Sequence, residues 1–222
     1  MMRRPSIKSC FLALMALAVS DHALAAEAPR FVVETETSGI KHTYNGDFPY
    51  LAGAGVAVFD CDADGLPELF FAGGEDRAKL YRNVSKPGAA LHFKESTAAD
   101  LALASVTGAY PLDIDADGLV DLALLRVGEN ILMRGLGDCR FERANEAWNF
   151  NGGDAWTTAF SATWQPGRAW PTLAFGNFMI PDTVIMGYGD CDANDIHRPR
   201  VGGGYEKPFR LQPGHCALSM LF

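Results

Sequence analysis

The stretch Val56–Gly74 reads VAVFDCDADGLPELFFAGG, and it holds the pattern that decides the fold. Two short apolar runs flank an acidic loop with aspartates at positions 1, 3 and 5, glycine at position 6 and glutamate at position 9. Ca²⁺ takes about six to eight oxygen ligands, and a tight loop of alternating carboxylates supplies them. The glycine permits the positive φ that such a turn requires. The sequence therefore predicts a calcium loop between two buried strands.

The same pattern recurs 53 residues later, where Tyr110–Leu125 reads YPLDIDADGLVDLALL. Recurrence at a fixed offset is the signature of a repeat architecture. In each loop the expected ligands are the carboxylates at positions 1, 3, 5 and 9 and the backbone carbonyl at position 7. They are Asp60, Asp62, Asp64, Leu66 and Glu68 in the first loop, and Asp113, Asp115, Asp117, Leu119 and Asp121 in the second.

Other interpretations of the two loops fit less well. An EF-hand needs a glutamate at position 12, where Phe71 and Leu124 stand, and it needs flanking helices rather than short β-like runs. Asp and Gly are also ordinary turn residues, but four carboxylates held together without a cation would repel one another. A catalytic carboxylate pair would need two different environments, whereas the two loops repeat one pattern.

Turn residues and short apolar runs divide the chain into units of about four strands. The first unit, residues 51–100, has predicted strands at 53–59, 68–73, 78–83 and 91–96. The second, residues 101–153, has predicted strands at 107–112, 121–126, 129–134 and 139–143. No helical period is sustained, and glycine is frequent. The prediction is an all-β chain, and four short strands per unit of this length are typical of a propeller blade.

The two loops and their flanking strands resemble the FG-GAP/VCBS repeats of integrin-alpha-like β-propellers. The phrases GAGVAVFDCDADGLPELFFAGG, DAWTTAFSATW and PTLAFGNF are similar to bacterial secreted proteins related to cartilage acidic protein. The resemblance implies a β-propeller of four-stranded blades with Ca²⁺ in each acidic loop. A third blade would span 154–212 and the start of the next 213–222, which makes about three to four blades of seven and predicts a truncated member.

The two ends of the chain carry further expectations. Residues 1–25 combine a basic start, an apolar core and an A-x-A site, which predicts a signal peptide. Residues 26–50 are expected to form an N-terminal β-segment. The third unit lacks an acidic loop where one would be expected, although GDCDAND at 189–195 offers oxygen ligands again.

Charge and cysteine content narrow the class of partner. The net charge of −8 becomes −10 once residues 1–25 are removed, and an acidic chain of this kind is poorly suited to nucleic acid. The mature chain is expected to have no membrane span.

Four cysteines remain, and we favour Cys191–Cys216, both outside the acidic repeats, with Cys61–Cys139 as the other pair. The alternative is that some of them are unpaired buried residues.

These observations favour a secreted or periplasmic calcium-binding module without catalytic activity, whose partner is an extracytoplasmic protein or polysaccharide. The alternative is a propeller-based hydrolase or lyase outside the cytoplasm. Against it, the sequence contains neither a G-x-S-x-G nor an H-E-x-x-H motif. A calcium sensor is a weaker hypothesis, because a sensor needs a bistable element.

Overall fold

The structure, a computed structural model, describes residues 28, 30–180, 183, 189–212 and 216–220. The described strands all lie in one compact unit that begins at Glu34. Twelve strands and no α-helix are present in the described residues. They are β1 (Val56–Phe59), β2 (Glu68–Phe71), β3 (Lys79–Asn83), β4 (Phe93–Glu95), β5 (Val106–Leu112), β6 (Asp121–Gly128), β7 (Ile131–Gly135), β8 (Phe141–Arg143), β9 (Ala155–Thr163), β10 (Thr172–Asn177), β11 (Asn194–His197) and β12 (Phe209–Leu211).

The first sheet is an antiparallel meander in the order β1-β2-β3-β4, which we call meander 1. Its β1 alternates in burial: Ala57 and Phe59 are buried, whereas Val56 and Val58 are exposed. This alternation is the period of two that a half-buried strand imposes on its side chains. All four strands predicted for the first repeat are present in meander 1, and the bounds of each differ from the prediction by one to three residues at one or both ends.

The second sheet has eight strands and contains two further meanders. Meander 2 comprises β5–β8 and meander 3 comprises β9–β12, and neighbouring strands in both are antiparallel. The two meanders join where β6 pairs with β9, at Val127 with Trp156 and at Gly128 with Ala155. Each meander is a four-stranded unit, as the repeat pattern predicts.

Two apolar clusters hold the three meanders together, and β6 contributes to both. Leu122 and Leu124 belong to a cluster shared with meander 1, and Ala123 and Leu125 belong to a cluster shared with meander 3. Because successive side chains of a strand point to opposite faces, meander 2 is packed on both faces. This explains why Leu122–Leu125 reads as a continuous apolar run rather than an alternating one.

The predicted N-terminal β-segment at 26–50 is not a strand in the part of it that the structure describes. Residues 34–38 form a turn, and Asn45 makes one isolated bridge with Gly74. The segment is attached to meander 1 by separate contacts of backbone and side chains. The Phe93 N–H donates to the Ser38 carbonyl at 2.7 Å, the Tyr81 hydroxyl donates to the Lys41 carbonyl at 2.6 Å, and His42 Nε2 lies 2.7 Å from the Ala72 carbonyl. These separate contacts do not form the continuous ladder of a strand.

The predicted start of a fourth blade at 213–222 is also not a strand where it is described. Within 216–220, Cys216 is bonded to Cys191, and the Ala217 N–H donates to the Asn177 carbonyl. These bonds attach the segment to meander 3. The predicted signal peptide at 1–25 lies outside the described residues. The described strands close no ring, and within these ranges we find no helix with the length and apolar character that a membrane span needs.

Candidate metal centre

The two acidic loops occupy the same place in successive meanders and share one backbone conformation. Loop 1, residues 60–68, joins β1 to β2, and loop 2, residues 113–121, joins β5 to β6. The φ angles are 60° and 61° at Ala63 and Ala116, and 83° and 86° at Gly65 and Gly118. Two sequences that differ at three positions thus form one loop shape.

In each loop the first three aspartates hold the turn with one oxygen apiece. Asp60 Oδ2 accepts from the Gly65 N–H at 2.9 Å, and Asp113 Oδ2 accepts from Gly118 at 3.0 Å. The aspartates at positions 3 and 5 accept in the same way from the N–H two residues ahead. These bonds shape the loop, and they leave the second carboxylate oxygen of each side chain for other partners.

Three carboxylates converge in each loop, at positions 1, 3 and 9. One oxygen from each lies within 4.8 Å of the others in two groups: Asp60, Asp62 and Glu68, and Asp113, Asp115 and Asp121. The predicted ligands at position 5, Asp64 and Asp117, are exposed and stand outside these groups. Leu66 and Leu119 lie at matching loop positions, and the ligand role of their carbonyls stays a prediction.

The carboxylate at position 9 is buried in both loops. Glu68 and Asp121 are 0% exposed. Asp121 accepts from the Ile114 and Gly135 N–H groups, both at 2.7 Å, and Glu68 accepts from Cys61 at 3.0 Å and from Asn83 at 3.4 Å. Burial raises the pKa of Asp121 to about 6 and raises the pKa of Glu68. A nearby cation would stabilise the charged form of both.

One oxygen in each loop gives a direct test of whether a cation fits. Asp60 Oδ1 and Asp113 Oδ1 are both buried, and neither has a hydrogen-bond partner among the described residues. A buried carboxylate oxygen without a partner is costly. It is also the hard oxygen donor that Ca²⁺ prefers. The donor set and these two oxygens fit a divalent cation in each loop.

An arginine on the third strand of each meander contacts the acidic loop, and our sequence analysis missed both. Arg82 Nη2 lies 2.6 Å from Asp62 Oδ2 and 2.8 Å from Asp138 Oδ1. Arg134 Nε lies 2.8 Å from Asp115 Oδ2, and its Nη2 lies 2.9 Å from Asp117 Oδ2. Aligning the third strands of the two repeats, KLYRN and ILMRG, would have revealed the shared arginine.

Both predicted cysteine pairs lie at disulfide distance. The S–S separation is 1.96 Å for Cys61–Cys139 and 2.08 Å for Cys191–Cys216. Cys61 lies inside loop 1, between two candidate ligands. Cys61 and Cys139 also lie close to Glu68, but disulfide sulfurs are not thiolates, so this group is not a thiolate metal site.

The third repeat differs, as its sequence indicates. The connection between β9 and β10, residues 164–171, contains no carboxylate. In the acidic segment 189–195, Asp192 and Asp195 each pair with Arg210, at 3.2 and 3.1 Å. In the described part of meander 3, no carboxylate group matches the geometry of loops 1 and 2.

The comparison with protein families agrees with this geometry. The FG-GAP-like repeat family matches residues 60–124, a range that begins at the first residue of loop 1 and includes all of loop 2. No curated protein sequence matches the chain significantly. The expected likeness to bacterial cartilage acidic protein-like proteins stays a prediction. The family match, the repeated acidic loops and the four-stranded meanders together support an FG-GAP repeat protein.

Proposed function

We propose that this chain is a secreted, calcium-binding module of the β-propeller type, in which each meander corresponds to a blade. The observation that carries the proposal is the paired loop geometry: two carboxylate triads on one backbone shape, each with a buried unpartnered oxygen. Ca²⁺ bound there would neutralise the buried position-9 carboxylates and fix the connection between the first two strands. Since the unfolded chain has no preformed site, binding would add to folding stability.

The proposed role is binding rather than catalysis, with an extracytoplasmic protein or polysaccharide as the partner. Two disulfides suit an oxidising compartment outside the cytoplasm. Of the three described histidines, His197 alone is buried; it is enclosed by Phe150, Phe175 and Tyr205 and offers no surface to a substrate. The hydrolase or lyase alternative stays a prediction, and turnover of a glycan or ester panel by the purified chain would favour it.

Calcium stoichiometry and thermal unfolding test the proposal. We expect about two ions per chain, and a rise in Tm of roughly 5–10 °C per site at 100-fold excess over Kd. Asp60→Ala and Asp113→Ala should each remove one ion and most of one increment. Asp100→Ala, at an exposed turn residue outside both loops, is the matched control and should remove none. An intact chain that binds no Ca²⁺ would refute the proposal.

A further inference from the structure

We infer that the turn between β7 and β8 of meander 2 belongs to the cation site of loop 1 in meander 1. Gly137, Asp138 and Cys139 form this turn, which we call the clamp turn. It positions the loop-1 ligands, so that Ca²⁺ affinity at loop 1 depends on the Cys61–Cys139 disulfide and affinity at loop 2 does not. The inference rests on the proposed calcium-binding function.

The first link between the clamp turn and loop 1 runs through Cys61. Cys139 is bonded to Cys61 by the disulfide, and its N–H also donates to the Cys61 carbonyl at 3.1 Å. The Cys61 N–H in turn donates to Glu68 Oε2 at 3.0 Å. The clamp turn therefore fixes the backbone residue that holds the buried carboxylate of loop 1.

The second link runs through Arg82, which is shared between the two meanders. Its Nη2 contacts Asp62 in loop 1 at 2.6 Å and Asp138 in the clamp turn at 2.8 Å. Asp62 is a member of the loop-1 carboxylate triad. Asp62 and Asp138 thus share one guanidinium nitrogen, and loss of Asp138 would leave Arg82 paired with Asp62 alone, where it would compete more strongly with a cation for that carboxylate.

The backbone of the clamp turn is unusual. Asp138 and Cys139 are consecutive residues with positive φ, 51° and 55°, a region that favours glycine. Such residues persist where surrounding contacts require them. Here Cys139 is bonded to loop 1 by the disulfide, and Asp138 is linked to it indirectly, through Arg82.

Loop 2 has the same shape, but the described bonds to its carboxylates come from its own meander. The residue that corresponds to Cys61 is Ile114, which is 0% exposed in the cluster shared with meander 3. Asp121 accepts from Gly135 of β7 at 2.7 Å, whereas the matching bond in loop 1, from Asn83 to Glu68, is 3.4 Å. Loop 1 therefore has a weaker bond from its own meander, and it has the disulfide to meander 2 that loop 2 lacks.

The test measures Ca²⁺ affinity by calorimetry, one loop at a time. An Asp113→Ala chain reports loop 1 and an Asp60→Ala chain reports loop 2, each with the disulfide and with Cys61→Ser/Cys139→Ser. Changes in residues that orient metal ligands typically cost about 10-fold to 100-fold in affinity. We expect such a loss at loop 1 and a change below about threefold at loop 2. Equal losses at both loops, or no loss at loop 1, would overturn the inference.

Two further variants keep the test decisive if the double serine chain does not fold. Asp138→Asn retains the disulfide and should weaken loop 1 by about threefold, the scale of an exposed ion pair; unchanged affinity would count against the clamp turn. Cys191→Ser/Cys216→Ser removes the other disulfide and should leave loop 1 unchanged, so an equal loss there would overturn the inference. No Ca²⁺ bound to the oxidised intact chain would refute the proposed function itself. Binding at both loops with no dependence on the disulfide would refute only the role of the clamp turn.

Discussion

At the scale of single residues, each acidic loop contains carboxylates that suit a cation, and an arginine already forms ion pairs with some of them. In loop 2, Asp115 has one oxygen bonded to a backbone N–H and the other paired with Arg134. A divalent cation that uses the second oxygen would compete with the guanidinium for the negative charge of that carboxylate. Arg134 is partly exposed, so its ion pairs are screened and the competition is modest.

We expect Arg134→Gln to strengthen Ca²⁺ binding at loop 2. An exposed ion pair is worth up to about 1 kcal/mol, so its removal should raise affinity by about fivefold. Calorimetry in an Asp60→Ala background measures this effect with only loop 2 intact. Arg168→Gln makes the same change of net charge in a turn outside the loops and should leave the affinity unchanged. Weaker binding in Arg134→Gln would mean that the arginine orients the ligands rather than competing with the ion.

A second residue-scale prediction concerns His197, whose ring is buried among Phe150, Phe175 and Tyr205. Desolvation lowers its pKa to about 4 from an unfolded value of 6.5. As pH falls from 6.5 to 4, His197 is therefore protonated in the unfolded chain but stays neutral in the folded chain. The free energy of unfolding decreases over that pH range. The loss is on the order of 3 kcal/mol. Below about pH 4 this contribution stops changing.

Urea unfolding in chelator between pH 7 and 4 measures this loss without interference from bound cations. His197→Leu should flatten the decline relative to the unaltered chain. His92→Gln, at an exposed histidine, should not. If His197→Leu and the unaltered chain decline in parallel, carboxylates rather than His197 cause the acid sensitivity.

The residue pattern alone includes the carboxylates that converge, but it also includes Asp64 and Asp117, which stand outside both groups, and it does not predict everything that surrounds the site. Spacing identifies Asp60, Asp62 and Glu68 because ligands at positions 1, 3 and 9 come from one local turn. Spacing within the loop does not identify Arg82, because Arg82 belongs to β3. It does not identify Asp138 either, because Asp138 belongs to another meander. The sequence also does not predict the positive φ at Ala63, since alanine, unlike glycine, is not typical of the left-handed region.

At the scale of elements, the strands of meanders 1 and 2 follow from apolar runs separated by glycine and aspartate turns. The strands of meander 3 are harder to predict from sequence, because the connection between β9 and β10 lacks the acidic loop that marks this position in the other two meanders. A buried polar chain also joins meander 3 to meander 2, beside their shared apolar cluster and the pairing of β6 with β9. Asn130 Nδ2 donates to Thr157 Oγ1 at 2.9 Å, and Thr157 Oγ1 donates to Asn177 Oδ1 at 2.7 Å.

We expect Thr157→Val to lower the free energy of unfolding by about 1–3 kcal/mol, because it leaves two buried asparagines short of a partner. Thr172→Val is the matched control: Thr172 is also buried, but its hydroxyl has no partner among the residues that the structure describes. Replacing that hydroxyl with a methyl group should be neutral or stabilising. Urea denaturation of both variants measures the difference, and equal losses would show that the polar chain contributes nothing specific.

At the scale of the whole molecule, β6 joins the three meanders, because the side chains on its two faces belong to two different apolar clusters. Each repeat encodes its own four strands, so the meanders can be predicted from local pattern. Closure of a ring depends instead on contacts between distant repeats, which no local pattern specifies. The number of blades therefore rests on the family resemblance alone.

A shared core predicts that the meanders unfold together. The four tryptophans lie between positions 148 and 170, so fluorescence reports the region around meander 3, whereas circular dichroism reports all strands. Leu80 is 0% exposed in the core between meanders 1 and 2. Leu80→Ala should cost about 3 kcal/mol, and in saturating Ca²⁺ it should move the fluorescence and dichroism transitions equally. Val84→Ala, at a side chain that is 56% exposed, should move neither. A dichroism transition that shifts while fluorescence stays would mean that meander 1 unfolds alone, and that packing through β6 does not couple the ends of the molecule.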